Sequence, residues 1–289
     1  MQISANGIAI EVDDVGQGRP LLLLMGLGMQ LVSWPPELVS ALVARGYRVI
    51  RIDNRDAGLS QGFDHLGRPN LLATTIRHML GLRVPAPYTL ADMARDAFGV
   101  LDAFGIEQVQ VCGVSMGGMI AQHMAVLQPA RVQRLTLMMT TSGSRALPPP
   151  SARVRSALLG RPAQSSDAEE IVAYLERMFG LIGSPDYHTE PVLFRGRLRA
   201  IVARAWRPAG VARQMVAIAA DGDRTPLLGK ITAPTHIVHG AADPLIPVAA
   251  AHQLHRKIGG STLEIIEGMG HDLPVPLLPR LVESIARTP

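Results

Sequence analysis

Residues 109–122 run Val-Gln-Val-Cys-Gly-Val-Ser-Met-Gly-Gly-Met-Ile-Ala-Gln, and no other stretch restricts the possible fold so strongly. Beta-branched Val109 and Val111 mark a short buried strand, and small and apolar residues continue as a helix to Gln128-Pro129. Between them Gly113-x-Ser115-x-Gly117 must turn sharply, and strand and helix can close on each other only if positions 113 and 117 carry no bulk. The Ser115 hydroxyl then stands at the sheet's edge, beside the free backbone N–H groups and positive dipole end of the new helix. A negatively charged oxygen would be stabilised there.

The surrounding chain predicts a mostly parallel sheet. Asn6-Gly7 signals a hairpin over residues 2–13. The run Leu21-Leu22-Leu23-Leu24-Met25 suits a strand buried on both faces and ends in Gly26-Leu27-Gly28. A helix to about Arg45, a strand over Tyr47–Ile52, a long excursion over 61–88, a helix over Leu90–Phe104 and a strand over Val132–Met139 follow. From about Gly143 to Thr225 no strand is evident. Helical spacing instead predicts one helix over Asp167–Phe179, capped by Ser166 or Asp167, and two more through Ile201 and Met215. The strand–helix rhythm resumes with Thr235–His239, a helix over Val248–Ile258, a strand over Thr262–Ile266 and a last helix to about Ala286. The expected division is a core in two parts, 1–142 and 226–289, with residues 143–225 as a helical cap over the edge where Ser115 emerges.

Two more residues complete a constellation. Asp243 follows one predicted strand in Gly240-Ala241-Ala242-Asp243-Pro244, and His271 follows the next in Gly268-Met269-Gly270-His271. Either alone would pass for an ordinary loop residue. Loops at the carboxyl ends of parallel strands share one edge, however, so Ser115, Asp243 and His271 converge in the order nucleophile, acid, base. For oxyanion binding the expected donors are the backbone N–H groups of Leu27 and Met116. Met25, Met29, Met119, Met139 and Met269 fall near this edge and are candidates for an adaptable apolar pocket or simply for core gap-fillers. Asp53 and Asp56 lie in a tight loop and read as structural, Asp272 is too near His271 in sequence to orient it, and His239 reads as a strand-end residue. His252 and His255 share a helix face without a further ligand, so no metal site is expected.

Composition sets the outer bounds. The chain has 289 residues, 47% hydrophobic and 18% charged, which suits an ordinary globular protein. No leader-like start and no uninterrupted apolar span is evident, so a cytoplasmic protein without membrane contact is expected. The formal charge of +4 rests almost wholly on arginine. Arg195, Arg197, Arg199, Arg204, Arg207 and Arg213 could mark a nucleic-acid surface, but without interleaved aromatics or a binding motif they read as a solvated helical face. Cys112 is the single cysteine and reads as a small core residue.

Over nearly its whole length the chain resembles the alpha/beta-hydrolase superfamily. The resemblance rests on Met25-Gly26-Leu27-Gly28, on residues 53–60 (Asp-Asn-Arg-Asp-Ala-Gly-Leu-Ser), on Gly113-Val114-Ser115-Met116-Gly117-Gly118, on Gly240–Asp243 and on Gly270-His271. It is most similar to the carboxylesterases and methylesterases whose oxyanion loop begins Met-Gly and is followed by a Trp-Pro pair, here Trp34-Pro35. Met25 stands where histidine is more common, and serine at the elbow departs from dehalogenases and epoxide hydrolases, which carry aspartate. The resemblance implies an α/β fold with a mostly parallel central sheet flanked by helices and a helical cap inserted between strands. It implies a serine carboxylesterase using no cofactor and working as a monomer or homodimer, and an adaptable methionine-lined pocket would suit small to medium hydrophobic esters. Perhydrolase, lactonase or amidase activity on the same triad, or a non-catalytic ligand receptor, are the alternatives.

Overall fold

Asn6 and Gly7 both turn at positive φ, 51° and 78°, and join strands β1 (Gln2–Ala5) and β2 (Ile8–Val15) into an antiparallel hairpin. The structure, a computed structural model, describes residues 1–158 and 167–287. After the hairpin come β3 (Arg19–Leu24), α1 (Pro36–Ala44), β4 (Tyr47–Ile52), α2 (Leu71–Met79), α3 (Leu90–Ala103), β5 (Val109–Val114), α4 (Met116–Leu127) and β6 (Val132–Met138). Helices α5 (Ala152–Leu158), α6 (Ala168–Ile182), α7 (Pro191–Arg204), α8 (Pro208–Asp221) and α9 (Thr225–Leu228) separate β6 from β7 (Thr235–Gly240). The chain closes with α10 (Ala249–Lys257), β8 (Thr262–Ile266) and α11 (Leu278–Ala286).

The strands form one eight-stranded sheet in the order β1-β2-β4-β3-β5-β6-β7-β8. From β4 to β8 every neighbouring pair is parallel, while β2 meets β4 antiparallel. Strand parity builds the core on both faces. Leu22, Leu24, Val109 and Val111 join a cluster that includes residues of α3 and α4. Leu21, Leu23, Cys112 and Val114 join another that includes residues of α1 and α11. Cys112 is fully buried, and burial pushes its thiol pKa up, as a packing residue's would be. Because β3 and β5 to β8 run parallel, the loops after β3, β5, β7 and β8 open on one edge.

The segment between β6 and β7 has helices and no strand among its described residues, but it is not one layer. Helices α6 and α7 share a small core of Ile171, Val172, Leu198, Ile201 and Val202. Helix α8 instead sends Ala217 into the main core. Of the two cap residues expected for α6, Ser166 lies outside the described residues, and Asp167 accepts from the Glu169 N–H at 2.8 Å.

The arginines divide in the same way. Arg195, Arg197 and Arg199 pair with Glu176, Glu37 and Glu169 on or near the surface, as a solvated face would. Arg213 departs from that expectation: it is 1% exposed and grips both oxygens of Asp56 at 2.7 and 2.8 Å. Burial disfavours the Asp56 charge, but Arg213, the Phe63 N–H and the Tyr88 hydroxyl outweigh it and hold the carboxyl below its usual range. Arg213→Met would leave that carboxylate buried and unpaired. It is expected to lower unfolding stability by about 3–5 kcal/mol, read as a fall in urea midpoint at unchanged slope. A loss below about 1 kcal/mol, the size of a surface pair, would show that Arg213 does not hold the helical segment to the sheet.

Candidate active site

Ser115 follows β5 and precedes α4 with φ 55° and ψ −119°. A non-glycine residue held at such angles costs about 1–3 kcal/mol and persists only where its surroundings fix it. Here they do so through close packing. A Cβ on Gly113 would run into the Gly117 carbonyl, and one on Gly117 into the Leu24 carbonyl. At Gly118 it would meet Thr140 at 2.7 Å, so three glycines permit the elbow to sit between β3 and β6. The Ser115 N–H donates to the Met138 carbonyl at 2.9 Å, and its own carbonyl accepts from the Thr140 hydroxyl at 2.7 Å.

The histidine and the acid meet on the neighbouring strand ends. His271 Nδ1 lies 2.6 Å from Asp243 Oδ2, with both residues buried. The other carboxylate oxygen, Oδ1, accepts the Leu245 and Ile246 N–H groups at 2.8 Å each. His239, fully buried on β7, holds that turn from behind: its Nε2 donates to the Ile246 carbonyl at 2.7 Å and lies 3.5 Å from Asp243 Oδ2. Burial lowers the His239 pKa, the Asp243 charge only partly opposing it. The neutral ring therefore fits a structural strand-end role.

Ser115 and His271 line the same cavity of about 240 Å³, whose walls are mainly apolar. Leu27 lines it, with Gly26 close enough that a Cβ there would lie 3.2 Å from Ser115 Cβ. Met116, the other expected donor, is the first residue of α4. Of the five methionines, Met25, Met29 and Met139 reach the cavity. Met119 and Met269 do not: Met119 belongs to the core cluster that includes residues of α3 and α4, and Met269 is fully buried in the opposite core, so both take the gap-filling alternative. Sequence proximity to the edge did not fix the direction of either side chain.

Several supports of the site carried little sequence signal. Asn54 donates to the Met25 carbonyl at 3.1 Å, and Gln214 accepts the Gly28 N–H at 2.8 Å. Gln30 donates to the Ile201 and Ala205 carbonyls at the end of α7. Asp53 accepts from Leu31 N–H and from Arg204, so its loop is structural, as expected. Burial nevertheless raises its pKa despite these partners. The loop after β3 is thus clamped between β4 and helices α7 and α8. On the other side His271 N–H donates to the Ile182 carbonyl at 2.7 Å, and the Ser184 hydroxyl donates to Asp272 Oδ1 at 2.5 Å. Asp272 is engaged there rather than with His271, although it also lines the cavity. His252 and His255 are both exposed, and His255 Nδ1 lies 3.0 Å from Ser261 Oγ.

Among the described residues no helix is long and apolar enough to cross a membrane. The chain is 29% identical to rhodomycin D methylesterase DauP of Streptomyces sp. (strain C5), over 92% of its own length and 89% of the relative's. It is 27% identical to a 2-hydroxy-6-oxononadienedioate/2-hydroxy-6-oxononatrienedioate hydrolase of Klebsiella pneumoniae, covering 91% of this chain and 85% of that one. Among solved structures it superposes on the enol-lactonase of Burkholderia xenovorans LB400 with a TM-score of 0.73 at 20% identity, covering 99% of this chain and 98% of the other. The esterase of Exiguobacterium antarcticum gives 0.72 at 24%, with 99% and 97% covered. At these identities the two structures speak for the fold alone. The alpha/beta hydrolase fold family matches residues 19–275, and with the sheet order and elbow described above the chain belongs to that family.

Proposed function

We propose that the protein is a serine carboxylesterase acting on small to medium hydrophobic esters through Ser115, His271 and Asp243. The observation that carries this reading is the strained Ser115 elbow opening on the same apolar cavity as the His271–Asp243 pair. Similarity to a methylesterase over most of both chains supports it. Ser115 Oγ attacks the ester carbonyl while His271 Nε2 takes its proton, and the oxyanion is received by the Leu27 and Met116 N–H groups. His271 returns the proton to the departing alcohol. It then activates water, which attacks the acyl-Ser115 ester and releases the acid. Asp243 fixes the imidazole with Nδ1–H toward itself and stabilises the cation formed at each step. Residues 143–225 serve as the cap, with Phe179, Ile182, Leu198 and Ile201 supplying apolar wall.

The test is a panel of chromogenic esters graded in acyl length, followed by rapid mixing with the best of them. A burst of chromophore equal to the enzyme concentration is expected whenever deacylation is the slower step. Quenched protein should carry the acyl mass on the peptide containing Ser115. Turnover confined to charged or peptide substrates, or acyl mass on another residue, would overturn the reading. Adding peroxide or amine acceptors to the same assay separates hydrolysis from perhydrolysis and acyl transfer.

A further inference from the structure

Helix α2 is built inside out. Its half-buried side carries Leu71, Thr74, Thr75 and His78. The two threonine hydroxyls turn back to the Asn70 and Leu71 carbonyls one turn earlier, and His78 Nδ1 lies 3.2 Å from the Ala219 carbonyl of α8. The outward side carries Leu72, Ile76 and Met79, continued by Leu80 just past the end of the helix. They stand at the spacing of one helical face and are 70%, 49%, 70% and 68% exposed. Leu66 and Leu82 flank them, so half of the large apolar side chains exposed among the described residues fall between positions 66 and 82. A helix on a globular core ordinarily turns such residues inward. Here the Asn70 side chain caps the first turn by accepting the Ala73 N–H at 3.0 Å, which supports the helix without apolar packing. A contiguous exposed cluster of this kind marks a contact surface.

The charge around that face selects its partner. Arg68, Arg77, Arg83 and Arg145 are all exposed, and none of them makes an ion pair among the described residues. Arg77 Nε donates to the Arg83 carbonyl at 2.8 Å and Arg145 donates to the Met79 carbonyl, which brings both guanidinium groups to the C-terminal end of α2. No Asp or Glu lies between Asp64 and Asp92, and those two are paired with Arg213 and Arg95. An apolar ridge with an unneutralised basic rim complements an anionic lipid surface: the apolar side chains enter among the acyl chains while the guanidinium groups stay with the headgroup phosphates. A second copy fits poorly, because an isologous contact through this face would bring two basic rims together. We propose that α2 docks the protein on an anionic lipid–water interface. The face lies apart from the cavity beside Ser115 and is independent of the esterase reading. An apolar span, whose absence led to the expectation of no membrane contact, is not needed by an interfacial helix.

The experiment sediments the purified protein with vesicles of phosphatidylcholine alone and of equal parts phosphatidylcholine and phosphatidylglycerol. Binding to the mixed vesicles should be about tenfold or more tighter than to phosphatidylcholine, and should fall as salt is raised. Leu72→Gln with Met79→Gln removes most of the apolar ridge, and Arg77→Gln with Arg83→Gln removes half of the rim. Each pair should weaken binding to the mixed vesicles about tenfold or more, and because these side chains are exposed both proteins should melt as wild type does. Ile76→Trp places the contact. Its added emission should shift to shorter wavelength on the mixed vesicles and be quenched by lipids brominated along their acyl chains, with wild type supplying the Trp34 and Trp206 background. No sedimentation with the mixed vesicles overturns the proposal and, in a protein that stays monomeric, leaves the face to an acidic protein partner. Binding that neither double variant weakens, or an unshifted emission in Ile76→Trp, overturns it as well. Light scattering without vesicles tests the second copy: a concentration-dependent dimer dissolved by Leu72→Gln with Met79→Gln would assign the face to self-association instead.

Discussion

Ser115→Ala is expected to lower kcat on the best chromogenic ester by several powers of ten, up to about a million-fold. The substitution removes the only atom proposed to bond to the acyl carbon. Any residual rate would come from water reacting in a site that still binds and polarises the carbonyl. The fold should survive, because Ser115 contributes to the elbow through its backbone, accepting from Gly118 and Met119 and donating to Met138. Alanine bears the same Cβ at the same positive φ, so the strain is little changed. Parallel thermal melts of the two proteins check this. Activity within tenfold of wild type, in a variant that melts normally, would remove Ser115 from the mechanism.

How much of this could be read from the chain follows from where each signal lies. Ser115, Asp243 and His271 each stand just after a recognisable strand in a loop rich in glycine or proline, so local pattern and the geometry of parallel strands together place them on one edge. The hairpin at Asn6-Gly7 and the doubly buried run at Leu21–Leu24 are equally local. The clamps on the loop after β3 are not. Gln214 and Gly28 are 186 residues apart, and no periodicity links a glutamine in α8 to a loop amide. One trace existed: Arg213 and Gln214 interrupt the otherwise apolar run Val211-Ala212 to Met215-Val216-Ala217. Two polar residues on the buried side of a helix imply buried partners, but not which ones. That Met119 and Met269 take the gap-filling alternative and not the pocket was hidden for a similar reason. Proximity to the edge is a property of the backbone, whereas pointing into the cavity depends on helix phase and loop conformation.

Asp243→Asn should lower kcat by about three to four powers of ten while leaving the protein folded. Two backbone donors, the N–H groups of Leu245 and Ile246, point at the Oδ1 position. In the variant the amide oxygen must stay there to receive them, which turns the amide NH2 toward His271. Nδ1, 2.6 Å away in the native pair, then has to accept rather than donate. The imidazole proton moves to Nε2, the nitrogen that should take the serine proton, and the base is blocked by its own tautomer. His239 adds to the effect: its Nε2–H is committed to the Ile246 carbonyl and would face the new NH2 across about the same 3.5 Å. Burst amplitude as well as steady rate should collapse, because acylation is the step that first needs the base. Asp272→Asn supplies the comparison, since Asp272 also lines the cavity beside His271 but is held by Ser184. It should cost far less. If Asp272→Asn proved the more damaging of the two and Asp243→Asn lost under tenfold, the acid of the triad would be Asp272, and the 2.6 Å contact at Asp243 would be a structural one.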